Sequence, residues 1–230
     1  MFRPAASPMA STQAALIPTI GSIHLHRRRD MQPNPPPYPI AALMLAAGYS
    51  RRFGADKRRL QLGDGRSLLT ASLALPCSML EEVWLVLRPD EAPATLDLPT
   101  GVRIVQNPAT AQGMGHSLAA GAERLLAESG AEAAAIFLAD MPSIRRDSLE
   151  VLMACASSDN IVLPSYQGKR GHPVLFGRDF WPQLATLSGD AGAKPVLLQN
   201  PEAVRIVELD DPGILQDIDT REDWQRLATH

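Results

Sequence analysis

The sequence predicts an α/β fold built on a mostly parallel sheet with helices on both faces. Two observations carry that expectation. From Ile40 onward, short apolar runs alternate with amphipathic stretches of helical spacing. Polar or glycine-rich turns follow the runs, at the strand ends where right-handed crossovers set ligand sites. Ile40–Ala47, Glu82–Leu87, Val102–Gln106, Ala133–Ala139 and Asn160–Pro164 read as buried strands. Helices are expected over Ser67–Leu75, Met114–Glu128, Asp147–Ala156 and Arg178–Leu184. No internal repeat is visible.

Composition narrows the function classes. A chain of 230 residues with 45% hydrophobic and 20% charged residues is that of a globular protein of one large or two small domains. The strongest apolar stretch, Ile40–Ala47, is far shorter than the roughly 20 residues that span a bilayer, so no membrane partner is expected. The net charge of -3 argues against general nucleic-acid binding. Cys77 and Cys155 stand alone, which excludes a disulfide framework or a cysteine-rich zinc site and fits a reducing cytoplasm.

Residues 1–39 differ from the rest. They hold 8 of the 20 prolines, four arginines and one acid, and end in Pro33-Asn34-Pro35-Pro36-Pro37-Tyr38-Pro39. Such a stretch cannot build a core. Residues 1–39 are therefore expected to be a disordered extension, with Met31 as an alternative start. The arginine-rich, acid-poor composition also matches a transit peptide, which is the less favoured reading.

The first strand runs into Gly48-Tyr49-Ser50-Arg51-Arg52-Phe53-Gly54-Ala55-Asp56-Lys57. Glycines there expose backbone N–H groups that suit phosphate oxygens. Arg51, Arg52, Lys57, Arg58, Arg59 and Arg66 gather in this stretch of an otherwise acidic domain, which points to a polyanionic ligand. Neither a P-loop nor a GxGxxG dinucleotide fingerprint fits. The plain alternative is a solvated basic turn.

A second site follows the strand Ala133–Ala139. Asp140, before Met141-Pro142, sits at the carboxyl edge of the sheet. Its partners there would be a metal, a ligand hydroxyl or the start of the next helix, which Asp140 or Ser143 could cap. Magnesium prefers carboxylates and phosphates to an all-protein cage, so one strand-end aspartate facing a triphosphate suffices. A third cluster is Asp217-Ile218-Asp219-Thr220-Arg221-Glu222-Asp223. Strand alternation would put Asp217 and Asp219 on one face, while Thr220 and Asp223 make a capping box. Asn107-Pro108 and Gly113-Met114-Gly115-His116-Ser117 form a glycine-rich helix entry.

Leu45-Ala46-Ala47-Gly48-x-Ser50-x-Arg52-x-Gly54-x-x-Lys57 resembles the signature loop of nucleotidyltransferases that activate cofactors and sugars. The resemblance is to their molybdenum cofactor cytidylyltransferase and guanylyltransferase branch. It implies a three-layer Rossmann-like nucleotidyltransferase fold over one domain, residues 40–230. It implies that Leu45, Ala46, Ala47, Gly48, Ser50, Arg52, Gly54 and Lys57 wrap the triphosphate, and that Asn107, Gly113 and Ser117 line the base and ribose pocket. Asp140 and Asp219 would hold magnesium, with manganese as its substitute and Asp217 as the competitor of Asp219. Lys57, Arg52 and Asp140 would be catalytic. Gly168–Phe176 and Leu187–Ala193 resemble acceptor-side motifs, through Arg170, His172 and Asp190, although His172 and Asp190 each have an ordinary structural reading. One departure is Arg58-Arg59, where relatives usually carry apolar residues.

Two function classes follow. The first is an enzyme in which an acceptor phosphate attacks the α-phosphorus of a nucleoside triphosphate and pyrophosphate leaves. The second is a non-catalytic carrier or chaperone for the cofactor. Retention of Lys57, Asp140 and Asp219 favours the enzyme. Ala47 stands where the guanylyltransferase branch has glycine, which favours the smaller CTP over GTP. The implied acceptor is molybdopterin or its molybdenum-loaded form, the implied protein partner a molybdoenzyme or its chaperone. The runner-up is an enzyme of the same fold using GTP or a sugar-phosphate acceptor.

Overall fold

The computed structural model describes residues 38–49, 53 and 55–228. Ser50, Arg51, Arg52 and Gly54 of the signature loop lie outside the described residues, as do residues 1–37. Tyr38 packs against the core and the Pro39 carbonyl accepts the Glu132 N–H at 2.9 Å, so the fold takes in the last two residues of the expected extension.

The elements are β1 (Ile40–Leu45), α1 (Leu68–Met79), β2 (Glu82–Leu87), β3 (Arg103–Gln106), α2 (Met114–Glu128) and β4 (Ala133–Leu138). There follow α3 (Arg146–Cys155), β5 (Ile161–Tyr166), β6 (Lys169–Arg170), β7 (Val174–Gly177), α4 (Trp181–Leu184), α5 (Lys194–Gln199), β8 (Val204–Glu208) and α6 (Arg221–Ala228). The eight strands form one sheet in the order β3-β2-β1-β4-β7-β5-β6, with β8 paired to β5. β1, β2, β3 and β4 are mutually parallel, as are β5 and β8. β7 runs antiparallel to both β4 and β5. The sheet is mixed and mostly parallel, as the sequence implies.

Strand alternation divides the core in two. Ile40, Ala42 and Met44 of β1 and Leu85 of β2 face Leu69 and Leu73 of α1 and Leu149 and Leu152 of α3. Ala41 and Leu43 face the other way, against Leu118, Ala122 and Leu125 of α2 and Trp181 of α4. Those two cores make three layers. Gly121 lets α2 approach the sheet closely, because a Cβ there would meet the Leu43 side chain at 2.6 Å.

Several expectations are corrected. α1 runs to Met79 rather than Leu75, because burial of Pro76 in the core offsets the hydrogen bond its nitrogen cannot donate. Ser67 caps that helix, accepting the Thr70 N–H at 3.1 Å. No strand carries Asp217 and Asp219: residues 216–219 are irregular chain, held by the Ile218 N–H on the Asp140 carbonyl at 3.0 Å. Arg178–Leu184 is a 3₁₀ turn followed by the single turn of α4. The capping box does form: the Asp223 N–H donates to Thr220 Oγ1 at 3.2 Å, and the Thr220 N–H to Asp223 Oδ2 at 2.9 Å.

Candidate active site

Strand order reverses between β1 and β4, since β2 and β3 lie on one side of β1 and the later strands beyond β4. Ligands bind at the carboxyl ends of strands beside such a switch point. A cleft of about 490 Å³ opens there. Leu45–Tyr49 at the end of β1 and Leu138–Asp140 at the end of β4 form its floor, and Thr110–Met114 with Ser117, at the start of α2, form one wall. The Ala139 N–H on the Leu45 carbonyl, at 3.2 Å, ties the two strand ends together.

Lys57 is the centre of the charge. Its ammonium lies 2.6 Å from Asp140 Oδ2 and 2.8 Å from Asp219 Oδ1, and donates to the Ile218 carbonyl at 2.9 Å. Burial pushes the lysine pKa down, but the charges and hydrogen bonds of Asp140 and Asp219 outweigh it and hold the ammonium above its ordinary range. The structure thus brings together three residues that are far apart in sequence. Asp140 caps no helix: α3 begins after Arg145, without a side-chain cap.

Asp140 Oδ1 is buried and has no hydrogen-bond partner. A carboxylate oxygen in that state is costly unless a cation faces it. Among the described residues no group of three or more His, Cys, Asp or Glu side chains forms a metal cage. Two carboxylates beside a cleft fit a hard divalent cation that takes its remaining ligands from phosphates and water. Asp217 stands beside them. Burial pushes its carboxyl up, and the negative charges of Asp219 and Asp140 push it further.

The helix entry is built by close approach. Gly113 has φ of 135°, and a Cβ there would strike Asp190 Oδ1 and lie 2.6 Å from the Gly189 carbonyl. The Gly115 N–H donates to that carbonyl at 2.8 Å, and the Gly189 N–H donates to His116 Nδ1 at 3.1 Å. Ser117 donates its hydroxyl to the Thr110 and Gly113 carbonyls, both at 3.3 Å. Asp190, placed by motif on the acceptor side, therefore lines the same cleft as Gly113. It does not cap α5, which starts after Ala193 without a side-chain cap.

Four predicted residues, Asn107, Arg170, His172 and Asp219, stand outside the cleft lining. Asn107 accepts the Ala109 N–H at 2.9 Å and caps a 3₁₀ turn. Arg170 is exposed on β6. His172 interacts electrostatically with Asp140, and its Nδ1 is buried without a partner. Burial pushes its pKa down, against the opposing pull of the Ile136 carbonyl and of Asp140 and Asp217, so the ring is neutral at pH 7. Asp219 borders a separate small hollow with Phe53 and joins the cleft through Lys57. Sequence reasoning missed Tyr49, Thr110, Ala111, Gln112 and Met114 as cleft residues. Their neighbours in the signature loop and helix entry were the available signal.

Residues 42–204 match the MobA-like NTP transferase domain family. The purine catabolism protein PucB of Bacillus subtilis (strain 168) is 34% identical over 204 residues, covering 83% of this chain and 96% of its own. A nicotine blue oxidoreductase of Paenarthrobacter nicotinovorans is 29% identical, covering 82% of this chain and 96% of its own. The molybdenum cofactor cytidylyltransferase of Escherichia coli (strain K12) is 26% identical, with 80% and 93% covered. Among solved structures, Rv0371c of Mycobacterium tuberculosis H37Rv superposes with a TM-score of 0.73 at 26% identity, covering 84% of this chain and 98% of its own. A manganese complex of Rv0371c has also been solved; it superposes with a TM-score of 0.65 at 24% identity, over 83% of this chain and 98% of its own. With the family match spanning most of the domain and a sheet-switch cleft in place, this chain belongs to the MobA-like NTP transferase domain family of nucleotidyltransferases.

Proposed function

We propose that the protein is a cytoplasmic enzyme that transfers a nucleoside monophosphate, CMP in preference to GMP, to the phosphate of a molybdopterin-type acceptor. The observation that carries this reading is the Lys57 bridge between Asp140 and Asp219 at the edge of a cleft floored by Leu45–Gly48. The acceptor is drawn from relatives named molybdenum cofactor cytidylyltransferase, at 26% identity, and probable molybdenum cofactor guanylyltransferase, at 28%; PucB and the nicotine blue oxidoreductase, at 34% and 29%, carry other names.

In this reading Asp140 and Asp219 hold magnesium or manganese. The orphaned Asp140 oxygen is the donor left for it. The bound ion would supply charge neutralisation across the α- and β-phosphates. Lys57, which lines the cleft while paired through Asp140 Oδ2, would present its ammonium to phosphate oxygens, where it opposes charge developing on the leaving pyrophosphate. Backbone N–H groups of the signature loop, with Ser50, Arg52 and Gly54, take the remaining oxygens. Gly113 and Ser117, with Asn107 bracing the turn before them, shape the base and ribose side. Arg170, His172 and Asp190 serve the acceptor side. No protein nucleophile is required, because the acceptor phosphate is already ionised at neutral pH.

Pyrophosphate release with each of the four nucleoside triphosphates, with and without the molybdenum-loaded cofactor, tests the reading. The expected result is turnover with CTP and that acceptor. A preference for GTP would overturn the base assignment alone. Tight cofactor binding without turnover on any nucleotide would move the protein to the carrier class.

A further inference from the structure

We propose that Arg58 is a positioning residue: its guanidinium clasps the two ends of the phosphate loop together and so sets nucleotide affinity. The proposal rests on the nucleotidyltransferase reading above and deepens it, since this arginine stands where the resemblance leads one to expect an apolar side chain.

Arg58 is only 3% exposed, yet it is charged and borders the cleft. A buried guanidinium has to have its donors matched. Here Nη1 donates to the Ala46 carbonyl at 2.7 Å, at the point where the chain leaves β1. Nε and Nη2 fork onto the two Asp56 oxygens at 2.8 and 2.6 Å, next to Lys57 where the chain returns. Nη2 also lies 2.6 Å from Glu91 Oε2, a carboxylate fixed in the turn after β2 and only 7% exposed. One planar group therefore joins the start of the loop, its end and the neighbouring strand's exit. Arg88, just past β2, reinforces the same ends: Nη2 donates to the Gly48 carbonyl at 2.6 Å, Nη1 lies 3.5 Å from Asp56 Oδ2, and the guanidinium stacks 4.6 Å over the Tyr49 ring.

Burial pushes the Asp56 carboxyl up, but the hydrogen bond and charge of Arg58, with the charge of Arg88, hold it below its ordinary range. The Arg58–Asp56 pair is thus charged at neutral pH. Its position is what ties it to binding rather than to the chemical step. Ala46, bonded by Arg58, and Gly48, bonded by Arg88, are cleft residues, whereas the Lys57 ammonium is held separately by Asp140, Asp219 and the Ile218 carbonyl. Loop ends held in place before the ligand arrives do not have to be fixed by it. Lysine cannot reproduce the fork, because its ammonium is a single point charge.

The test uses the full-length Arg58→Met and Arg58→Lys proteins. It measures hydrogen exchange over residues 46–49 and 55–58, the Kd of CTP and of GTP with magnesium, and steady-state constants well below the melting temperature. In Arg58→Met, exchange in those stretches should speed up while β1, β2 and β4 stay protected. Nucleotide Kd and KM should rise roughly tenfold with kcat within about threefold, the pattern of lost binding rather than lost chemistry. Arg58→Lys should keep most of that defect. A merely structural arginine would lower the melting temperature and leave Kd, KM and local exchange unchanged, which would overturn the proposal, as would full rescue by lysine. Should Arg58→Met not fold, Arg88→Met loosens the same loop from outside and should shift Kd in the same direction; unchanged Kd and exchange there would count equally against the proposal. A wild-type protein that binds no nucleotide, together with faster exchange in Arg58→Met, would overturn the functional reading and leave the clasp standing.

Discussion

The Lys57 ammonium and the Asp140 carboxylate form a 2.6 Å ion pair that uses one carboxylate oxygen and leaves the other, Oδ1, buried without a hydrogen-bond partner. A lysine and a divalent cation would thus address the same aspartate from different oxygens, and both would neutralise the charge shared with Asp219.

That relationship predicts the behaviour of Lys57→Met. Removing the ammonium leaves two carboxylates facing each other, so the metal-free variant should melt lower than wild type. Added magnesium or manganese should then raise its melting temperature more than it raises that of wild type. Turnover should fall on the order of a hundredfold, the usual loss for one electrostatic stabiliser of the transition state. The lysine pKa is raised in the fold, so its stabilising contribution is fully present below the ordinary value of 10.5 and is lost as pH rises through the folded value. The melting difference between the two proteins should stay flat across neutral pH and shrink only in strong alkali. An unchanged metal response in Lys57→Met would remove the shared-carboxylate account.

Asp140→Asn tests the metal directly. Turnover should drop by roughly three orders of magnitude or more, because metal charge neutralisation is worth several kcal/mol. Chelation should silence the wild-type enzyme reversibly, with recovery on adding magnesium or manganese. An Asp140→Asn protein with near-normal, magnesium-dependent pyrophosphate release would refute the assignment.

Gly113→Ala should lose stability by at least about 2 kcal/mol, because φ of 135° is strained for any residue with a side chain and the new Cβ meets Asp190. Nucleotide binding should weaken with it, since the Gly189 loop would be pushed off the start of α2. Thermal melting and nucleotide titration of the same preparation read both effects.

His172 makes stability pH-dependent on the acid side. Its pKa is lowered in the fold, so below the ordinary value of 6.5 the unfolded chain takes up a proton that the folded ring refuses. Stability should decline as pH falls below that value, and His172→Gln should flatten this part of the curve. Melting temperatures of both proteins across acid to neutral pH provide the check.

Removing residues 1–30 should leave turnover and melting temperature unchanged, as expected for a proline-rich extension. Removing residues 1–39 should not, because Pro39 accepts a hydrogen bond from Glu132 and Tyr38 packs on the core. A marked loss on the shorter deletion would show that the extension docks on the domain.

The amino-acid sequence alone determined the strands and helices around the cleft. β2 and α2 fall on their expected residues, and β1, β3, β4 and β5 within two residues at each end. Their patterns are long, apolar and locally encoded, so periodicity suffices. It also marked Lys57, Asp140 and Asp219 as candidate site residues, although a solvated basic turn and a helix cap stood as plain alternatives for the first two. Tertiary structure decided the rest. β6, β7 and β8 are short strands recognisable only by their partners, and β7 is held antiparallel between β4 and β5. Asp190 meets Gly113 because the chain after α4 folds back onto the start of α2, a contact no spacing encodes. Arg58 is the sharpest case. In the sequence it is one more basic residue in a basic stretch, which on local evidence belongs in water. It is buried only because Ala46, Asp56 and Glu91 converge on one guanidinium, and that convergence depends on how β1 and β2 end side by side. Side-chain burial follows from the summed positions of distant segments, so it becomes legible only once the sheet is assembled.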